Sequence, residues 1–124
     1  MNSNLPELQK GPVTFDLDAA RRRMDGEDSL VQAMLGFFVQ EVPVLIESVE
    51  SALERGDTEQ VVRPVHTIKT HCMNFGISPC AENAKEVEAC AKEGNCEAVR
   101  RVWPDVRTCL DEALDTIKRD HLTA

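Results

Sequence analysis

Apolar residues recur every three or four positions through four successive stretches of this chain, and nowhere do they alternate with polar ones. A step of three or four returns to one side of an α-helix, whereas a half-buried strand needs a step of two. The pattern predicts an all-α fold. Its first long stretch carries Leu30, Met34, Phe37, Phe38, Val42, Leu45, Val49 and Leu53, stops at Gly56, and contains Pro43, which should kink it. The second carries Val61, Val65, Ile68, Cys72 and Phe75 up to Gly76, with Asp57 as its N-cap. Pro64 lies inside it and is expected to leave a carbonyl near residue 60 unpaired.

Ser78 and Pro79 read as the cap and first helical position of a third stretch, with Cys80, Ala84, Val87 and Ala91 on one side and a stop at Gly94. Asn95 caps the fourth, whose stripe is Val99, Val102 or Trp103, Val106, Leu110, Ala113 and Ile117, with a bend at Pro104. A short helix precedes them all, capped by Thr14 or Asp16, carrying Leu17, Ala20 and Met24 and ending at Gly26. Turns of two or three residues favour antiparallel neighbours. The expected architecture is an up-down-up-down antiparallel four-helix bundle with a short extra N-terminal helix across one end. Residues 1–13, with Pro6, Gly11 and Pro12, read as a flexible N-terminal segment, and residues 14–124 as one bundle domain.

A formal charge of −8 argues against nucleic acid, whose phosphates reward clustered cations. The one basic run, Arg21 to Arg23, is followed closely by acids and reads as a solvated helix face. No apolar stretch is read as approaching the ~20 residues of a membrane span, and the first ten residues lack the basic and apolar regions of a signal peptide. The chain is therefore expected to be cytoplasmic, with no membrane partner, and its acidic surface and low aromatic content (4%) suggest a monomer. Five cysteines, at 72, 80, 90, 96 and 109, have no zinc-like spacing and read as reduced core hydrophobes. No metal site is expected.

The chemistry concentrates in the second long stretch. His66 and Lys69 are three residues apart and about a quarter turn off the stripe of Val65, Ile68 and Cys72, so they should share the edge of the buried face. A solvent-reachable imidazole is nucleophilic near pH 7, and an ammonium beside it offsets the charge of an incoming phosphate. His71 lies about 140° around the helix from His66 and is expected to be a surface residue.

The frame around this pair, His66, two residues, Lys69, and Gly76 ten residues after the histidine, resembles the signature of histidine-containing phosphotransfer (HPt) domains. The resemblance extends over roughly residues 15–118, through Phe15-Asp16-Leu17-Asp18, the glycine break within residues 21–28, the long helix from Leu30 and the Gly56-Asp57 turn. It implies the same bundle and a phosphorelay function without autonomous kinase activity. His66 would accept a phosphoryl group through Nε2 from the aspartate of a receiver domain, in a response regulator or hybrid histidine kinase, and pass it to another. By the same resemblance Lys69 is the phosphate's charge partner and Gly76 belongs to the signature. Mg²⁺ is expected on the receiver, with no cofactor on this chain.

Thr70 stands where HPt domains usually carry glycine. It is expected to crowd the imidazole, or to hydrogen-bond a ring nitrogen or the phosphate, which keeps open a second reading: a bundle that binds a receiver or kinase without phosphotransfer. Glu88 and Lys92, one turn apart on the next helix, either join the surroundings of the phosphohistidine, as residues there do in some HPt domains, or form an ordinary i,i+4 salt bridge. Met34, Phe37 and Phe38 offer more apolar surface than one stripe can bury and, with Met73, are the expected receiver-docking residues.

Overall fold

Helix formation follows the apolar period closely. A computed structural model describes residues 7–122 of the chain; residues 1–6 of the expected N-terminal segment lie outside them. The elements are α1 (Leu17–Arg23), α2 (Asp28–Glu54), α3 (Glu59–Asn74), α4 (Cys80–Lys92) and α5 (Cys96–Thr116), which runs on into a π-helical turn at Ile117–His121. Among the described residues there is no strand, only an isolated bridge between Thr14 and Ser78. In the resulting bundle α2 packs on α3, α3 on α4 and α4 on α5, while α5 and its π-turn close back onto α2 and α1 leans on α2.

Local chemistry sets the helix ends. Asp16 accepts the backbone N–H of Ala19 at 3.0 Å and so caps α1, and Asn95 accepts that of Ala98 at 3.1 Å and caps α5. Asp57 accepts the N–H of Gln60 at 3.3 Å, at the start of α3. Pro79 precedes α4 instead of opening it, and Ser78 turns its hydroxyl to Glu82 rather than to a free helix N–H. The three internal prolines, Pro43, Pro64 and Pro104, are accommodated inside continuous helices.

The expected stripes of α3, α4 and α5 are buried, from Val61, Val65, Ile68, Cys72 and Phe75 to Val99, Val106, Leu110 and Ile117. Each such large side chain contributes about 1.5–3 kcal/mol on leaving water. On α2 the core-facing set is Val31, Leu35, Phe38, Val42, Ile46, Val49 and Leu53, whereas Leu30 and Phe37 of the expected stripe are exposed. Residues 30 and 31, 34 and 35, and 37 and 38 form three apolar pairs. Two neighbouring stripes therefore satisfy the period, and the positions of the other helices choose between them. That double stripe also makes α2 long and apolar enough to cross a membrane by length and composition alone, with a mean hydropathy of 1.6. This corrects the expectation that no stretch approaches that limit; in the bundle one side of α2 is core.

The described part of the N-terminal segment lies against the bundle: Gln9 and the buried Asn83 exchange two hydrogen bonds of 2.8 and 3.0 Å, and Leu8 and Val13 pack on the core. Cys80 and Cys109 are joined by a disulfide between α4 and α5, with Cα atoms 5.9 Å apart, so the cysteines are not all reduced. Cys72, Cys90 and Cys96 are free, and burial, with the Glu82 charge adding to it, pushes the Cys72 thiol up to about 12.

Candidate functional site

The site is assembled by α3 and α4. The α3 stripe anchors that helix in the core and turns His66 outward, leaving its side chain 56% exposed. From α4, Val87 and Ala91 enter the core and bring Glu88 under the imidazole. Glu88 is almost wholly buried, its side chain 5% exposed, yet three groups satisfy it. Its Oε2 lies 2.8 Å from His66 Nδ1 and 3.3 Å from Lys92 Nζ, and its Oε1 accepts from Lys69 Nζ at 2.8 Å.

Burial alone would push the Glu88 carboxyl up. The hydrogen bonds from Lys69, His66 and Lys92 outweigh it and hold the group at about 2, so it is a carboxylate at neutral pH. A carboxylate only accepts hydrogen bonds. Nδ1 must therefore carry the ring proton it donates, and the lone pair of a neutral His66 is on Nε2, at the far side of the ring from Glu88.

The Thr70 hydroxyl donates to the backbone carbonyl of His66 at 3.1 Å, not to a ring nitrogen. Its β-branched side chain is exposed beside the imidazole. Gly76 shapes the end of the site helix. Its φ is +59°, and a Cβ there would sit 2.7 Å from Cβ of Asp16, whose N–H donates to the Phe75 carbonyl at 2.8 Å. From α1, Arg23 donates to the Asn74 carbonyl at 2.9 Å and so caps the last turn of α3.

A protein-family model described as the Hpt domain matches residues 33–120, which hold this entire histidine, lysine and glutamate arrangement. The chain belongs to the Hpt domain family. Comparison with curated proteins found no match, nor did comparison with solved structures. Hpt domains carry phosphoryl groups on histidine in two-component signalling, work with receiver domains and kinases, and are phosphocarriers rather than kinases.

In this Hpt domain the structure brings His66, Lys69, Glu88 and Lys92 together, and keeps Gly76 apart from them at the α3 terminus. Lys69 and Lys92 both point their charge at Glu88 in the unphosphorylated chain. Of the expected docking residues, Phe37 and Met73 are exposed and Met34 is partly buried. Phe38 is not available: it is fully buried, edge-on to Phe75 with ring centroids 6.1 Å apart. His71, expected at the surface, is buried between α2 and α3, with Nε2 2.9 Å from Glu41 Oε1 and the rings of Phe37 and Phe38 against it.

The sequence reading passed over Val44 and placed Leu30 on the core stripe; both are exposed on α2 together with Phe37. Their regular spacing of seven was the available signal, since positions seven apart share one side of a helix. Among the described residues no group of three or more His, Cys, Asp or Glu side chains is arranged to hold a metal ion.

Proposed function

We propose that this Hpt domain is a phosphorelay intermediary that takes a phosphoryl group on Nε2 of His66 from a receiver aspartate and delivers it to another receiver aspartate. The observation that carries this reading is the 2.8 Å hydrogen bond between His66 Nδ1 and the buried Glu88 carboxylate, because it fixes the tautomer and directs the nucleophilic lone pair to solvent. In the forward step the Nε2 lone pair attacks phosphorus of the aspartyl phosphate. An N–P bond forms, the P–O bond to the aspartate breaks, and its electron pair returns to the carboxylate. The ring keeps its Nδ1 proton and becomes cationic, and the Glu88 charge stabilises that developing cation. Lys69 and Lys92 keep Glu88 ionised and in place, so they act through it as positioning residues.

The Mg²⁺ that supports the reaction belongs to the receiver. Receiver docking is assigned to the exposed apolar side chains Phe37, Val44 and Met73 around the α2–α3 face, with Met34 and Leu30 at its margin. Gly76 serves the helix end rather than the chemistry. Short turns and the packing of consecutive helices support an up-down-up-down antiparallel bundle of α2 to α5 with α1 across one end. The acidic surface and the small number of exposed large apolar side chains among the described residues support a monomer.

The test is transfer of label from a phosphorylated receiver to the wild-type chain and to His66→Gln. Acid-labile, base-stable label on wild type alone is expected. Equal label on His66→Gln would sink the assignment. Tight receiver binding without label on either would instead favour a pure interaction module, the reading that exposed Thr70 beside His66 keeps in play.

A further inference from the structure

The cations already at the site stand on one side of the imidazole. Lys69 and Lys92 are bound to Glu88, which faces Nδ1. A phosphoryl group on Nε2 would form on the opposite side of the ring. A residue three positions before or after another lies about 60° to either side of it around a helix. Lys69 follows His66 by three and faces α4 through Glu88; Arg63 precedes it by three and lies on the other side.

Arg63 has the other properties such a position needs. It is exposed, and its guanidinium has no ion-pair or hydrogen-bond partner among the described residues, although Glu41, Glu47 and Glu59 are close in the fold or sequence. It lines two grooves that flank the N-terminal half of α3, next to His66 in the chain. One runs toward α4 past Thr58, Lys92 and Gly94, the other toward α2 past Val44, Glu47 and Thr67. A planar guanidinium can meet two phosphate oxygens at once, whereas an ammonium offers a point charge.

We infer that Arg63 is the residue that holds the phosphoryl group on the Nε2 side of His66, during transfer and in the phosphohistidine. This rests on the phosphorelay function proposed above. Arg63 makes no bond in the step: the N–P bond forms and the P–O bond breaks as already described, while the guanidinium donates hydrogen bonds to the phosphoryl oxygens as they move from aspartate to histidine.

The experiment uses the full chain with wild type, Arg63→Gln, Arg63→Lys and, as a remote charge-matched control, Lys118→Gln. Two quantities are read: the single-turnover transfer rate at saturating phosphorylated receiver, and the lifetime of phosphohistidine formed without any receiver by phosphoramidate. Arg63→Gln is expected to slow transfer about tenfold and to shorten the phosphohistidine lifetime. Arg63→Lys should recover part of both, and Lys118→Gln should match wild type. Unchanged transfer and lifetime in Arg63→Gln would overturn the inference. So would a loss confined to receiver affinity, which would make Arg63 a docking residue. If wild type itself takes no label from either source, the phosphorelay reading falls and the inference with it; if wild type is labelled on His66 and only the Arg63 effects are missing, the inference alone falls.

Discussion

Glu88 Oε2 and His66 Nδ1 lie 2.8 Å apart, with the carboxylate buried and the imidazole open to solvent. The relationship couples a fixed, desolvated charge to a reactive ring whose other nitrogen is free. Replacing Glu88 by Gln keeps the shape and removes the charge, leaving the mostly buried Lys69 ammonium without its anion. Glu88→Gln is expected to slow phosphotransfer by about tenfold, since a charged hydrogen bond that matters in the transition state contributes roughly 1.5–3 kcal/mol. A single-turnover comparison with wild type would show it; transfer at the wild-type rate would remove Glu88 from the mechanism.

The same carboxylate makes stability depend on acid. Its pKa is held at about 2 in the folded chain, against 4.5 for an ordinary glutamate. A depressed carboxylate pKa contributes stability that is complete above the unfolded value and is lost as pH falls through the folded one. The Glu88 contribution to the urea stability gap between wild type and Glu88→Gln is thus expected to be fully present above pH 5. It should shrink below about pH 4.5 by up to ~3 kcal/mol and vanish near pH 2. A gap that grows as pH falls below about 4.5 would contradict the arrangement.

Gly76 tolerates no side chain for two separate reasons. Its φ of +59° strains any L residue, and an added Cβ would stand 2.7 Å from Asp16 Cβ. Gly76→Ala is expected to lose about 2 kcal/mol or more and to loosen the N-terminal segment from the α3 terminus. Thermal melting and amide exchange at Thr14 and Asp16 would report both. Phosphohistidine formation in the molecules that remain folded should survive.

Two adjacent phenylalanines on α2 face opposite environments. Phe37 is exposed and Phe38 is fully buried. Phe37→Ser is expected to weaken receiver binding about tenfold with stability nearly unchanged, because an exposed aromatic acts mainly at a contact. Phe38→Ala should cost about 3–5 kcal/mol through the cavity it leaves. Titration with a receiver alongside urea unfolding separates the two outcomes, and equal effects of the two changes would refute the assignment.

Thiol chemistry tests the α4–α5 connection. Isolated without reductant, the chain is expected to show one disulfide, between Cys80 and Cys109, and three thiols by mass spectrometry after alkylation. Cys72, whose thiol is buried and pushed up to about 12, should alkylate only on unfolding, whereas the partly exposed Cys96 should react first. Five thiols in the native chain would refute the pairing.

Much of this molecule was legible along the chain because helix period, caps and breakers are local. The stripes of α3 and α5, the caps Asp16 and Asn95, and the displacement of His66 from its own core face needed only the spacing of neighbouring residues. The failures share a cause. Phe38 and His71 were assigned to the surface, and Leu30 to the core, because α2 offers two apolar stripes and α3 has flanks on both sides of its own. A period identifies a face but not the helix that will cover it.

The amino-acid sequence alone determined the helices, their order and the displacement of His66 from its core face, since these depend on residues within a few positions of one another. Tertiary structure decided which atoms of His66 are occupied. Only the packing of α4 on α3 puts Glu88 at Nδ1, leaves Nε2 to solvent, and draws Lys69 and Lys92 to one side while Arg63 stays free of partners among the described residues. A charge acts over a few ångströms in space, whatever its separation along the chain.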